Sequence, residues 1–358
     1  MIKVDNSYKK RIFTDSKDIK VLELKKKVEN LINEVEKDNP FDYTQLKNFE
    51  NDKNADHLSV FKFKKAIMLE ISKLKSSSIP DIFKKRLKDI EKNIYLILIG
   101  RYDKIKEFLI SQKYFILIYP YCNNAAQPIG YDIYQKVFDN LYKTQLSNND
   151  KFKRAFFEMF NNMNVCPYCN RNFINPIYKS QKVGCDNNKQ SPDIEHFYPK
   201  SMYPFLSLSI SNLLPSCSFC NKVKSNVDTL KNSISPYEDK QDFEFKFLID
   251  SSNILKHKIK LETKSDNSKI LHLENLYSEI HEDYINDIYL DVLSHPEVHT
   301  RALQTLLEED ESKQDKSKKE EWYKSFFRNY YNEEDFHKHP LSKLTKDLYL
   351  HFKNLDVN

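Results

Sequence analysis

Cys166-Pro-Tyr-Cys169 begins a stretch that continues with Asp193-Ile-Glu-His196-Phe-Tyr-Pro199-Lys-Ser201 and ends with Cys217-Ser-Phe-Cys220-Asn221-Lys-Val-Lys-Ser225. Two Cys-x-x-Cys pairs therefore enclose an adjacent Glu and His, and an Asn directly follows the last cysteine. The pairs are separated by the 47 residues from 170 to 216, which is more than the tightest metal-binding ribbons contain. We therefore expect a metal-clamped insert between two flanking regions of the 358-residue chain.

The four cysteines have the spacing of a structural zinc site. A Cys-x-x-Cys turn places two thiolates on one side of a bend, and two such turns supply the four sulfur ligands that tetrahedral zinc takes. The alternatives are bystander thiols or two disulfides, and disulfides are disfavoured because nothing marks the chain as secreted. Since such a site is closed, a zinc ion would hold the fold and perform no chemistry. The predicted ligands are Cys166, Cys169, Cys217 and Cys220, whereas Cys185 is predicted to be a bystander.

The residues between the pairs predict a strand, an irregular loop, a second strand or turn, and a helix. The first strand is expected from Asp193 to Tyr198, and the helix from Cys217 toward Leu230. A strand end and the first helical turn can meet across a short hairpin. The order of elements can therefore aim Glu195, His196 and Asn221 into one pocket.

This combination resembles the ββα-metal motif of HNH endonucleases, in the zinc-stabilised form with two Cys-x-x-Cys pairs. The resemblance covers residues 166–225 and rests on three segments: Glu195-His196-x-x-Pro199-x-Ser201, Asn212-Leu213 and Cys217-x-x-Cys220-Asn221-x-x-Lys224-Ser225. Within the family, the segments are most similar to nucleases of bacterial antiphage defence, such as the nuclease subunit of Septu-type systems and of some retrons. The resemblance implies a nucleic-acid substrate, DNA before RNA, and an ATPase as partner subunit.

The same residues suit hydrolysis of a phosphodiester, which requires an activated water, relief of phosphate charge and help for the leaving oxygen. A neutral His196 can take the proton of the water near neutral pH. By the resemblance, the amide carbonyl of Asn212 orients the ring of His196. One divalent cation, Mg²⁺ or Mn²⁺, would be held by hard oxygen ligands from Glu195 and Asn221. In many relatives an Asp or His matches Glu195 and a His matches Asn221, which leaves the metal position and preference open.

Further charged residues surround this predicted site in sequence. On a strand Asp193 would share a face with Glu195, so it is either an acid that supports the cation ligands or an ordinary surface residue. Lys222 and Lys224 lie inside the motif and are predicted to bind the substrate by neutralising its phosphates. The remaining nearby lysines are equally well explained as solvated surface residues: Lys179, Lys182, Lys189, Lys200 and Lys231.

Composition indicates two or three domains without a strongly basic surface. The chain is 40% hydrophobic, with 24 Phe and 22 Tyr, so it can build cores although 30% of it is charged. The net charge of +5 excludes a strongly basic, DNA-coating protein. No apolar run reaches membrane-spanning length and the N-terminus is no signal peptide, so we expect a reducing bacterial cytoplasm and no membrane partner.

The flanking sequence completes a mainly α prediction with a small α+β insert. The expected domains are a helical N-terminal domain over 1–164, the zinc-stabilised HNH nuclease core over 165–235, and a C-terminal hairpin and helical region over 236–358. The apolar run 95–99 fits a strand or a buried helix, and alternating residues over 243–247 and 256–262 predict the hairpin. Cys122 is predicted to be a buried free thiol. Helices are predicted at 16–36, 57–74, 80–90, 101–119, 131–146, 150–163, 273–293, 296–307, 321–331 and 340–352.

Three functional hypotheses follow from the sequence. The first is a metal-dependent HNH endonuclease that acts as the nuclease effector of a bacterial antiphage defence system. The second is a non-catalytic, zinc-stabilised subunit that binds nucleic acid or serves as a scaffold. The third is a stand-alone HNH nuclease of a restriction system or mobile element. The sequence contains no phosphate-binding Gly-rich loop and no Ser-His-Asp arrangement, so no ATPase activity of its own is predicted.

Overall fold

The computed structural model describes residues 11–37, 42–76, 81–111, 131–160, 163–174, 192–238, 242–249, 257–294, 329 and 332–355. Within these ranges helices predominate, and the strands form two separate two-stranded antiparallel sheets. The expectation of a mainly α protein with small β elements is confirmed at this level. Among the described helices, none is both long and apolar enough to cross a membrane.

The described part of the N-terminal region is mainly helical. The α1 helix begins at an Asp18 cap, whose side chain accepts a hydrogen bond from the Lys20 N–H at 2.8 Å. The apolar run 95–99 forms a short helix and not a strand, and most of its side chains are buried. The helices are α1 (Ile19–Val35), α2 (Ser59–Ser76), α3 (Asp81–Lys92), α4 (Ile94–Ile99), α5 (Tyr102–Ser111), α6 (Tyr131–Tyr142) and α7 (Asp150–Glu158).

The insert consists of strand β1 (Asp193–His196), strand β2 (Leu213–Ser216) and helix α8 (Ser218–Lys224). The two strands pair antiparallel, with Glu195 opposite Leu214 and His196 opposite Leu213. The predicted order of strand, loop, strand and helix is therefore present. The helix is shorter than predicted, because the backbone turns into the positive-φ region at Ser225 (φ 46°).

The insert shares a core with the helical region. The rings of Tyr102 and Tyr198 stack with centroids 5.6 Å apart, and their hydroxyls lie 2.6 Å apart. The Ser211 hydroxyl donates to the carbonyl of Gly100 at 2.6 Å. One continuous cluster of buried apolar residues extends through all three predicted domains, and the domain boundaries themselves stay predictions.

The C-terminal region contains the predicted hairpin, formed by β3 (Phe243–Ile249) and β4 (His257–Thr263). The helix predicted over 273–293 is divided at His281 into two helices. A last helix packs on β3 and matches the prediction for 340–352. The helices predicted at 296–307 and, apart from Asn329, at 321–331 lie outside the described residues, as do Cys122 and Cys185. The helices are α9 (Asn267–Ile270), α10 (Leu273–Ile280), α11 (Glu282–Ser294) and α12 (Ser342–Leu355).

Candidate metal centre and active site

The four predicted cysteines come together and are buried. Their sulfur atoms all lie within 4.8 Å of one another, and none of these cysteines forms a disulfide. Four sulfurs around one tetrahedral zinc ion lie about 3.8 Å apart, given a Zn–S bond of about 2.3 Å. Separations of at most 4.8 Å are compatible with that geometry. The four residues can therefore hold a metal ion such as zinc.

Local backbone contacts fix the turn that the first Cys-x-x-Cys segment forms. The Asn170 N–H donates to the Cys166 carbonyl at 2.8 Å, which closes the turn, and the Cys166 N–H donates to the Asn172 carbonyl at 2.9 Å. Asn170 adopts a positive φ of 48°, a conformation that Asn tolerates better than most residues. In the second segment, Cys217 caps the N-terminus of α8.

The surroundings of the thiols also shift their pKa values. Burial raises the pKa of Cys166 well above the usual thiol value. Hydrogen bonds from the neighbouring thiols lower the pKa of Cys217, and the Asn172 amide donates to its sulfur at 3.3 Å. Donors that point at a sulfur stabilise thiolate, which is the form that binds metal. The surroundings thus favour the metal-binding thiolate at Cys217, whereas burial opposes it at Cys166.

Asn170 also fastens the C-terminal region to the cysteine turn. Its amide donates to the Phe336 carbonyl at 2.7 Å, and its side-chain oxygen accepts from the Lys343 N–H at 2.9 Å. Its main-chain carbonyl accepts from the Leu341 N–H at 2.6 Å. We did not identify Asn170 from the sequence, where the only hint is an Asn directly after the second cysteine.

The two carboxylates of β1 point toward α8. Alternation places Asp193 and Glu195 on one face of the strand. The Asn221 amide donates to Asp193 Oδ2 at 3.1 Å, and the Lys224 ammonium lies 2.7 Å from Glu195 Oε1. Asn221 and Lys224 are neighbours on α8 because they are three residues apart. The structure thus places Asp193 beside Asn221, whereas the sequence analysis expected Glu195 there.

Glu195 is held in a closed environment. Its side chain is 3% exposed and that of Lys224 is 2% exposed. Its second oxygen faces the Tyr168 hydroxyl at 3.4 Å, and Tyr168 lies between two of the zinc-site cysteines. Burial raises the pKa of the Glu195 carboxyl, and the Lys224 ammonium opposes that rise. The Lys224 ammonium also donates to the His196 carbonyl at 2.8 Å.

The imidazole of His196 is oriented by a main-chain carbonyl. Its Nε2 lies 3.0 Å from the oxygen of Ser207, and the ring packs edge-on against Tyr142 at 4.8 Å. Burial lowers the pKa of His196 to about 3, so the ring is neutral at pH 7. Because a carbonyl only accepts, Nε2 carries the proton in this contact and Nδ1 keeps its lone pair. The side chain is 8% exposed.

Asn212 has a different contact from the one expected. Its side-chain oxygen accepts from the Tyr198 N–H at 2.7 Å, and its amide donates to the carbonyls of Tyr198 and Leu206 at 3.1 and 3.3 Å. The side chain is fully buried. Asn212 therefore closes the loop between β1 and β2, and Ser207 on that loop supplies the oxygen that meets the ring of His196.

The two motif lysines have different surroundings. Lys222 is exposed on α8 and can meet a phosphate. Lys224 is buried in its contact with Glu195, so its predicted role in binding substrate does not fit its position. The Lys200 ammonium lies 2.6 Å from an Asp139 oxygen. Lys179, Lys182 and Lys189 lie outside the described residues.

Comparisons with known proteins give two partial matches. The chain is 37% identical to the Septu protein PtuB of Bacillus thuringiensis over 82 residues, which are 23% of this chain and 26% of that protein. It is 29% identical to protein ea31 of Escherichia phage lambda over 111 residues, which are 29% of this chain and 32% of that protein. No family model and no solved structure matches. The chain is thus distantly similar to a Septu protein over about a quarter of that protein's length.

Proposed function

We propose that this chain is a metal-dependent endonuclease of the HNH type that hydrolyses phosphodiester bonds, with DNA as the favoured substrate. The observation that carries the proposal is the environment of His196. The Ser207 carbonyl holds Nε2, which leaves Nδ1 as the ring nitrogen that can accept a proton. His196 then removes the proton of the attacking water through Nδ1.

The carboxylate face of β1 has suitable donors for a divalent cation. Asp193, Glu195 and Asn221 offer the oxygen atoms that Mg²⁺ and Mn²⁺ prefer. The Asn221 amide already lies 3.1 Å from Asp193, and a turn of that amide would present its oxygen on the same side. When bound, the cation would neutralise phosphate charge and stabilise the leaving oxygen. Asp193 thereby joins the two predicted ligands as a candidate.

The similarity to a Septu protein supports a role in bacterial antiphage defence. In that role the chain would be the nuclease effector, and an ATPase subunit would restrain or trigger it. Helices α1 to α7 and the C-terminal region would offer surfaces for that subunit. The similarity to a phage protein is the observation that favours the stand-alone alternative, a nuclease of a mobile element.

One contact favours the non-catalytic alternative. Glu195 is buried against Lys224, so one predicted cation ligand is engaged by a side chain of the protein. A zinc-stabilised subunit that only binds nucleic acid would have no use for a free carboxylate at this position. A cleavage assay separates the two functions.

The test is plasmid cleavage with Mg²⁺ or Mn²⁺ by the wild type and by His196→Ala. Removal of a general base lowers the rate by about 10²- to 10⁴-fold, and we expect a loss in that range. His57→Ala is the matched control, because His57 is exposed on a remote turn and the variant should cut normally. Zinc content should be the same in all three proteins, and circular dichroism should show that His196→Ala still folds although it loses a buried hydrogen bond. Undiminished cleavage by His196→Ala would contradict the assignment, and a wild type that never cuts, even with its ATPase partner, would support the binding subunit.

A further inference from the structure

Glu195 has a cationic partner built into the fold. We infer that Lys224 is a counter-ion that holds the Glu195 carboxylate before a divalent cation arrives, and that it thereby weakens cation binding at this site. The inference rests on the proposed function, because it takes Glu195 as a cation ligand. It makes Lys224 a positioning residue that acts through Glu195.

The geometry of the pair supports this role. The Lys224 side chain extends from α8 to the end of β1, where its ammonium lies 2.7 Å from a Glu195 oxygen and 2.8 Å from the His196 carbonyl. The same ammonium therefore touches the predicted cation ligand and the main chain of the predicted base. Tyr168 occupies the other carboxylate oxygen at 3.4 Å. Both oxygens of Glu195 are thus positioned without a metal ion.

The charges determine the direction of the effect. With Lys224 in place, Asp193 and Glu195 together leave one net negative charge on this face, and without it they leave two. An ammonium and a divalent cation also compete for the same oxygen of Glu195. Since like charges repel strongly in a partly buried site, removal of the ammonium should tighten cation binding.

Burial determines the effect on stability. Removing one partner of a buried ion pair leaves an uncompensated charge and destabilises the fold. A cation that binds the folded chain restores stability by mass action. A variant without the Lys224 charge should therefore have a lower free energy of unfolding when no divalent cation is present. Addition of the cation should raise that free energy more than it does in the wild type.

The first measurement is Mn²⁺ affinity, read from the electron paramagnetic resonance signal of free Mn²⁺, with one zinc per chain verified by mass spectrometry. Lys224→Met should bind Mn²⁺ at least tenfold more tightly than the wild type. Lys224→Arg keeps the charge and should stay within threefold. Lys73→Met removes a surface lysine that is 60% exposed and should leave the Mn²⁺ affinity unchanged. The inference would be overturned if Lys224→Met bound Mn²⁺ no more tightly than the wild type does. It would also be overturned if Lys224→Arg bound Mn²⁺ as tightly as Lys224→Met does.

The second measurement is urea unfolding with and without Mn²⁺. Lys224→Met should have a lower midpoint than the wild type without Mn²⁺ and a larger upward shift with it, and a Lys224→Met chain that folds only with Mn²⁺ would support the inference. The double variant Glu195→Gln/Lys224→Met should recover part of the lost midpoint and lose the large Mn²⁺ shift. If Mn²⁺ does not change the urea midpoint of Lys224→Met, the inference is overturned.

Failure of the inference and failure of the proposed function remain distinguishable. If the wild type never cuts nucleic acid but the Mn²⁺ affinities and midpoints follow the expected order, the counter-ion role survives and the nuclease does not. If the wild type cuts and Lys224→Met binds Mn²⁺ as the wild type does, only the counter-ion role fails.

Discussion

Replacing Asn212 by alanine should destabilise the loop that orients His196. The substitution removes three hydrogen bonds, one from the Tyr198 N–H and one each to the Tyr198 and Leu206 carbonyls. A buried polar group that loses its partner costs about 1–3 kcal/mol. Because Asn212 is fully buried, water cannot replace it without rearrangement of the loop. We therefore expect the free energy of unfolding to fall by about 3–5 kcal/mol, a large share of the stability of an ordinary domain.

The assay is urea unfolding of zinc-loaded protein, followed by fluorescence and circular dichroism. Asn93→Ala is the matched control, because the Asn93 amide makes one hydrogen bond, to the Asp89 carbonyl at 2.9 Å, in a part-buried site. That variant should lose about 1 kcal/mol. Asn212→Ala should also cut more slowly, since Ser207 lies on the loosened loop. A loss no larger than that of Asn93→Ala would refute the reasoning, because the loop would then hold its shape without the Asn212 amide.

Three further predictions concern the metal centre and the C-terminal region. Cys169→Ser should lower the zinc content measured by mass spectrometry and broaden the unfolding transition, whereas full zinc occupancy would contradict the four-sulfur site. Asn170→Gly keeps the positive φ but removes the side-chain amide, so it should lower the free energy of unfolding by about 2 kcal/mol and make residues 332–355 more sensitive to limited proteolysis. Unchanged proteolysis there would show that Asn170 does not hold the C-terminal region in place. Lys343→Met should destabilise the chain by about 3–5 kcal/mol in thermal unfolding, because it leaves Asp347 buried without its ammonium partner. The double variant Lys343→Met/Asp347→Asn should recover part of that loss, and no recovery would show that the two residues are not coupled.

The elements that were predicted well depend on local sequence. The spacing of the cysteines, the alternation in the β3–β4 hairpin and the helical periodicity of α1 are each visible within one short window. The four cysteines of the two Cys-x-x-Cys pairs could be placed together because a structural zinc ion takes four ligands, whichever path the chain follows between the pairs. The run 95–99 could not be decided, since a helix buried on all sides and a buried strand have the same apolar pattern.

The details that sequence reasoning missed depend on contacts between distant residues. Strand alternation placed Asp193 beside Glu195, but which of them faces Asn221 depends on how α8 crosses β1. The burial of Lys224 depends on the same crossing, and its basic character suggested a phosphate contact, whereas the structure pairs it with Glu195. Asn212 was predicted to orient His196, yet three main-chain groups of its own loop engage its side-chain amide. Charge and motif position alone could not reveal these choices.

The cysteine turns do more than close a metal site, because Glu195, the C-terminal region and helix α8 are each attached to one of them. Tyr168, between the first two cysteines, contacts Glu195. Asn170, directly after them, holds the C-terminal region. Cys217 caps α8, the helix that carries Asn221 and Lys224 to β1. Because zinc would hold both turns at once, its loss should separate β1 from α8 before it unfolds the helical region. Activity should therefore fall at lower chelator concentrations than helicity does, although the zinc ion touches no substrate.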